Sequence, residues 1–137
     1  MMLSEPFLRL VMAAAIIAAS LAAWALVRAL VLSRARRGAA GLSVFRPGLP
    51  GILYFTTKDC LTCKAAQRPA LRDLERLLYG RIQVIEVDAV DRPDLAKNWS
   101  VLSVPTTFVL DRSGRPRQVN HGFASAAKLL SQLQRVG

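Results

Sequence analysis

Asp59-Cys60-Leu61-Thr62-Cys63 contains both cysteines of this 137-residue chain. Ile52-Leu53-Tyr54-Phe55 precedes it, a short apolar run that reads as a buried strand. Lys64 to Tyr79 follows, with Ala66, Ala70, Leu74, Leu77 and Leu78 at helical spacing. Pro69 lies early in that helix and is expected to kink it or end its first segment, and Gly80 is a good C-terminal stop. Two thiols at the point where a strand feeds a helix form a candidate redox site.

Outward from this stretch the pattern keeps alternating. Ile82 to Val87 predicts a second strand, Arg92 to Trp99 a short helix with Pro93 in its first turn, and Thr106 to Leu110 a third strand. Asp111-Arg112-Ser113-Gly114 is a turn signal, and Arg117 to Asn120 predicts a short fourth strand antiparallel to the third. Ala124 to Arg135 closes the chain as a helix with Leu129, Leu130 and Leu133 on one face. Strands alternating with helices imply an α/β domain, and about 87 residues suffice for one small core. The expected organisation is residues 1–32 as an N-terminal apolar helix, 33–50 as a basic Gly/Pro-containing linker and 51–137 as the folded domain. Within the linker, Val44-Phe45 is expected either to form a short edge strand or to pack on the domain.

A Cys-x-x-Cys pair has two main chemical uses. As a zinc half-site it needs two more ligands, and a chain with no further cysteine and one histidine offers no such set, so no metal is expected. The other use is dithiol–disulfide exchange. A cysteine at a helix N-terminus has its thiolate stabilised by the helix dipole and free N–H groups. A second thiol one turn on can then attack the mixed disulfide that forms.

The residues from Gly51 to Leu133 resemble the thioredoxin family. Four features carry the resemblance: Cys60-Leu61-Thr62-Cys63-Lys64 after a buried strand; Pro69 in the next helix; Trp99-Ser100-Val101-Leu102-Ser103-Val104-Pro105-Thr106, similar to the family's aromatic-x-Val-x-x-Val-Pro-Thr segment; and Gly122 between the last strand and last helix. The resemblance implies a thioredoxin-like fold, a four-stranded mixed sheet flanked by helices and trimmed of the family's first strand and helix, so that one sheet edge leans on the membrane or a partner. It implies that Cys60 is the attacking thiolate and Cys63 the resolving thiol. Pro105 is then a cis-proline facing the cysteines, and Val104, Pro105, Thr106 and Gly122 border the substrate. The implied activity is thiol–disulfide oxidoreduction on partner proteins, with no cofactor beyond the Cys60–Cys63 pair and an unidentified electron donor. The alternative is a redox-sensing or protein-binding module with little turnover.

The departures concern tuning. Asp59, Leu61 and Thr62 stand where ordinary thioredoxins carry Trp, Gly and Pro. The Asp59 charge disfavours a thiolate at Cys60, while Lys58 and Lys64 favour one, and the net direction is open. By the resemblance, the family's buried aspartate falls at Tyr54, a side chain that cannot act as a base near neutral pH. Glu86, on the neighbouring strand, is the candidate replacement proton acceptor. Its plainer reading is an exposed strand carboxylate.

Ahead of the domain, Leu10 to Val27 carries no charge and is bracketed by Arg9 and Arg28. As a helix its 18 residues span about 27 Å, close to a bilayer's hydrocarbon core. Trp24 suits an interfacial anchor. A single-pass anchor is the preferred reading. A signal peptide cleaved after Ala23-Trp24-Ala25 is the second, and a buried core helix the third, disfavoured because the run has no polar face. Arg28, Arg34, Arg36 and Arg37 outnumber Arg9, which places the C-terminal domain in the cytoplasm by the positive-inside rule.

The net charge of +10 raises nucleic-acid binding as a class, but the basic residues are scattered and no aromatic series interleaves with them, so no nucleic-acid partner is expected. His121 reads as a solvent-exposed loop residue and Trp99 as core. Asp88, Asp91 and Asp94 read as capping groups for the short helix that follows, in preference to a metal cluster.

Overall fold

The structure is a computed structural model that describes residues 5–38 and 42–136. It divides into two compact units, Met1–Leu30 and Val31–Gly137.

The first unit is helical. Helix α1 runs Glu5–Gly38, so the beginning of the expected linker is helical; residues 39–41 of that linker lie outside the described residues. Within its Glu5–Ser33 stretch the most apolar 18-residue window has a mean hydropathy of 2.4 and none of that window is buried, unlike a core helix. The stretch is long and apolar enough to cross a membrane, a property that signal sequences share. The Ser20 hydroxyl returns a hydrogen bond to the Ile16 carbonyl at 2.8 Å, and the Arg28 guanidinium lies 5.4 Å from the centre of the Trp24 ring.

The second unit is built on one sheet in the order β2-β1-β3-β4. Strand β1 (Gly51–Thr56) is parallel to β2 (Gln83–Asp88) and antiparallel to β3 (Thr106–Leu110), which is antiparallel to β4 (Pro116–His121). All six residues of β1 and all five of β3 are buried, because helices or loops cover both faces of the sheet's centre. That is why both strands read as continuous runs without polar alternation. One face carries Leu53, Phe55, Ile85, Val87, Phe108 and Leu110 against Leu95 and Trp99, with Leu42 and Phe45 packed alongside. The other carries Ile52, Tyr54 and Val109 against Leu71 and Leu74 of α2 (Arg68–Leu78) and Leu129 and Leu133 of α4 (Ala126–Val136). Gly51 permits the closest approach of β1 and β2: a Cβ there would lie 2.7 Å from Cγ of Gln83.

The predicted elements all form, with ends displaced by a residue or two. Three details bear on the expectations. The helix after the cysteines opens with a π-helical turn, Cys63–Gln67, and becomes α-helical at Arg68, next to Pro69, where the first segment was expected to end. Val44-Phe45 forms no strand; Phe45 packs on the core. The aspartates do not cap α3 (Pro93–Asn98) as expected, since its start has no side-chain cap. Instead Asp88 accepts from the N–H groups of Val90 and Asp91 and closes the turn after β2, while Asp94 pairs with Arg92 at 3.1 Å. A short polar side chain competes for whichever free N–H its backbone brings within reach, and here the turn comes first.

Candidate active site

Strand β1 delivers the chain to a turn at its C-terminal end, and helical backbone starts at Leu61, directly after Cys60. This is the geometry the sequence implied: the apolar strand fixes the turn, and the turn sets Cys60 at the mouth of a helix. Cys60 and Cys63 form a disulfide with their Cα atoms 5.3 Å apart. The two sulfurs are in unequal surroundings. Cys63 is fully buried among Tyr54, Leu71 and Leu74, whereas Cys60 is half-buried at the edge of that cluster. The Cys63 N–H donates to Sγ of Cys60 at 3.2 Å. A free helix N–H aimed at a sulfur stabilises negative charge on it, so this geometry favours a thiolate at Cys60 once the disulfide opens.

The second wall comes from the loop before β3. The Val104–Pro105 peptide bond is cis. Val104 packs against the same cluster as Cys60, and the Thr106 hydroxyl donates to the Ser103 carbonyl at 2.7 Å, closing the loop. The N–H of Gly122 donates to the Pro105 carbonyl at 2.8 Å, so the end of β4 is tied to the proline. Val104, Pro105, Gly122 and the cysteines thus converge from three segments distant in sequence, while the Thr106 side chain is buried beneath the loop.

The thioredoxin family profile matches residues 46–135, which is most of the chain and includes every residue just described. The chain belongs to the thioredoxin family. A thioredoxin-like protein of Synechocystis sp. is 32% identical over 85 residues, covering 62% of this chain and 79% of that protein. Among solved structures, thioredoxin-2, described as a component of the malaria parasite protein secretion machinery, superposes with a TM-score of 0.61 at 27% identity, over 69% of this chain and 89% of that one. A thioredoxin-like protein from Clostridium perfringens gives 0.61 at 26% identity, over 67% and 74%.

Family membership, with a Cys60–Cys63 pair joined at the helix mouth, supports a thiol–disulfide redox role. The residues around the thioredoxin site are placed as follows. Tyr54 is fully buried and no hydrogen bond closes on its hydroxyl. Burial pushes its phenol above the ordinary value, and nearby Thr56 and Arg68 offset only part of that rise. The phenol is therefore neutral at physiological pH and accepts no proton from Cys63. Glu86 pairs with Tyr54 in register across β1 and β2, but its carboxylate is 48% exposed and accepts a 2.7 Å bond from Arg68. Lys58, Asp59 and Lys64 are exposed, and Lys58 approaches Asp91 at 3.9 Å. His121, the last residue of β4, is exposed, whereas Trp99 is fully buried with its ring 4.9 Å from that of Phe108.

Sequence reading missed two groups. Gln67, on the π-helical turn, is buried and makes paired bonds to the backbone of Ala124: its amide donates to the carbonyl at 3.0 Å and accepts from the N–H at 2.9 Å. This clamps the cysteine-bearing turn to the segment after Gly122. Only its position inside an apolar stripe distinguished it in the sequence. The second group is an apolar rim: Leu61 between the cysteines is 79% exposed, Leu102 before the cis-proline 92%, and Phe123 after Gly122 is also exposed. Large apolar side chains in loops next to a reactive motif were the available signal. Among the described residues, no group of acidic, histidine or cysteine side chains could hold a metal ion.

Proposed function

We propose that this protein is a membrane-tethered thiol–disulfide oxidoreductase acting on partner proteins. The observation that carries the reading is the inequality of the two sulfurs: one reachable and facing a helix N–H, the other buried behind it. The reduced pair acts in two steps. The Cys60 thiolate attacks one sulfur of a partner disulfide, breaking that bond and releasing the partner's other sulfur as a thiolate. The Cys63 thiolate then attacks Sγ of Cys60, forming Cys60–Cys63 and releasing the partner's second thiol. Two electrons pass from the dithiol to the partner, and an unidentified reductant must restore the pair. Val104, Pro105 and Gly122 supply the substrate wall, with Thr106 bracing the loop beneath them, and Leu61, Leu102 and Phe123 an apolar surface beside it. Lys58, Asp59 and Lys64 set the charge around Cys60, with Glu86 as the remote acceptor of the Cys63 proton.

Helix α1 serves as the tether, with the thioredoxin domain on the cytoplasmic side, where Arg28, Arg34, Arg36 and Arg37 are retained. A reporter fused at Gly137 that is active only outside the cytoplasm would reverse this orientation.

Cys63→Ser tests the reaction, because it stops the second step and accumulates mixed disulfides on Cys60. Their absence in cells, together with no reduction of an insulin-type disulfide by the wild-type protein and a dithiol donor, would remove the enzyme reading. A second reading, a redox-responsive binding module, is favoured by the lack of a base behind Cys63 at Tyr54. It predicts that the pair cycles between dithiol and disulfide without turnover.

A further inference from the structure

Strand β2 is the open edge of the sheet. Parallel pairing with β1 uses alternate residues: the Gln83 N–H donates to the Pro50 carbonyl and the Ala89 N–H to the Thr56 carbonyl. By the same alternation Ile85 and Val87 face β1, so the backbone groups of Val84 and Glu86 and the N–H of Asp88 point away from the sheet. Residues 42–49 pass beside this edge without pairing to it. They are held at its start by one side chain: the Gln83 amide accepts from the Arg46 N–H and donates to the carbonyls of Arg46 and Leu49. Among the described residues, no backbone bond joins residues 42–49 to Val84–Asp88.

A groove of about 310 Å³ lies along this edge, lined by Leu42, Val44, Ile85, Val87, Leu95 and the acidic residues of the β2–α3 turn. Its two sides differ in chemistry. Ile85 and Val87 present an apolar floor shared with Leu95, while Glu86 and Asp88 emerge on the opposite side of the strand, with Asp91 at the end. Among the described residues, the one cation in the lining, Arg92, is paired with Asp94, while from outside the groove Arg68 pairs with Glu86 at 2.7 Å and Lys58 approaches Asp91 at 3.9 Å. Among the described residues, this edge of a chain of net charge +10 thus sets four carboxylates, Glu86, Asp88, Asp91 and Asp94, against three cations, and Asp88 has no cationic partner.

An unpaired, half-apolar edge is a template for another strand. We infer that the β2 edge is a docking site, separate from the cis-proline wall, for an extended segment of a partner protein that alternates apolar and basic side chains. Main-chain bonds to Val84, Glu86 and Asp88 supply the attachment. Successive side chains of an added strand fall on opposite faces. The apolar set lies on Ile85, Val87 and Leu42, and the basic set beside Glu86 and Asp88.

Residue-resolved amide exchange on the full chain in detergent micelles tests this, with a short end-blocked peptide of alternating valine and lysine as the probe. At peptide concentrations about ten times its Kd, exchange at the Val84, Glu86 and Asp88 amides slows by about tenfold. The valine–glutamate counterpart has a weaker effect, and Glu86→Lys reverses the preference. Protection that appears at residues 103–106 instead, equal response to both peptides, or no binding at millimolar peptide would overturn the proposal. So would amides already protected without peptide, with a dependence on protein concentration that assigns the edge to a second copy of the chain. Peptide binding that persists in Cys60→Ser keeps this outcome separate from the redox reading.

Discussion

The two faces of the central sheet are equally buried and chemically unlike. The Trp99 face packs Leu53, Phe55, Ile85, Val87, Leu95, Trp99, Phe108 and Leu110, with the buried Thr106 hydroxyl satisfied locally by the Ser103 carbonyl. The Cys63 face mixes Ile52, Val109 and the leucines of α2 and α4 with buried polar groups. Asn120 and Gln132 exchange amide hydrogen bonds at 2.8 and 2.9 Å, Asn120 also donates to Thr107, and Gln67 clamps Ala124. Apolar packing is adaptable in direction, whereas a buried amide is satisfied in only a few orientations. Both faces contribute burial energy through their apolar clusters. The second fixes where the cysteine turn, the last strand and α4 stand relative to one another.

Trp99→Ala breaks the apolar face and has the largest expected effect. Removing a fully buried tryptophan is expected to cost about 3–5 kcal/mol, read from the shift of the urea midpoint. Its indole N–H is buried without a partner, so Trp99→Phe is expected to recover most of that loss. A loss under about 1 kcal/mol for the alanine variant would show that Trp99 does not anchor this face.

Gln67→Leu strikes the polar face. It leaves the N–H and C=O of Ala124 unpaired in a buried setting, at a cost of about 1–3 kcal/mol. Its distinguishing readout is kinetic: resolution of the mixed disulfide should slow in the folded variant, because the Cys63 turn loses its tie to the segment after Gly122. A stability loss with unchanged kinetics would make the clamp purely structural.

Asp111, in the β3–β4 turn, belongs to neither face and gives the pH dependence. Burial alone would raise its carboxyl. Bonds from the Ser113 hydroxyl, Arg117, and the N–H groups of Arg115 and Ser113 outweigh that and lower it to about 2 from 3.8. Its folded value is depressed, so its contribution is fully present above the unfolded value and is lost as pH falls from there through about 2. Urea midpoints between neutral pH and pH 2 should show an acid loss that is shallower in Asp111→Asn. Equal slopes would remove the assignment.

The smallest effects return to the polar face. Tyr54→Phe removes a buried hydroxyl that has no partner, so stability should change by less than about 1 kcal/mol, with no loss of dithiol activity. If activity falls instead, the phenol takes part in the chemistry. Glu86→Gln should slow mixed-disulfide resolution by no more than about threefold, since general-base contributions shrink when the group is exposed and ion-paired. An unchanged rate would end its role as proton acceptor.

The succession of strands and helices was legible because the strands read as apolar runs and turn residues separate them. The reactive pair was legible because Cys60 and Cys63 sit next to each other in sequence, where a strand meets a helix. Gln67, Arg68 and the apolar rim were not. A buried glutamine and a solvent-facing one are identical as letters, and Leu61 or Leu102 reads as core until the backbone places it outside. The three aspartates were misread for a related reason: several turns could use them, and only the folded β2–α3 turn decides which N–H each carboxylate reaches.

The sequence by itself determined the α/β alternation, the apolar N-terminal helix and the chemistry of Asp59-Cys60-Leu61-Thr62-Cys63. Those are local properties, set by periodicity, hydropathy and the nearness of two thiols. Tertiary structure alone decided that Cys63 is buried while Cys60 is reachable, that Glu86 is tied to Arg68, and that residues 42–49 pass the β2 edge without pairing to it. Each of those depends on groups far apart in the chain, and their burial, charge and pairing exist only once the sheet has brought them together.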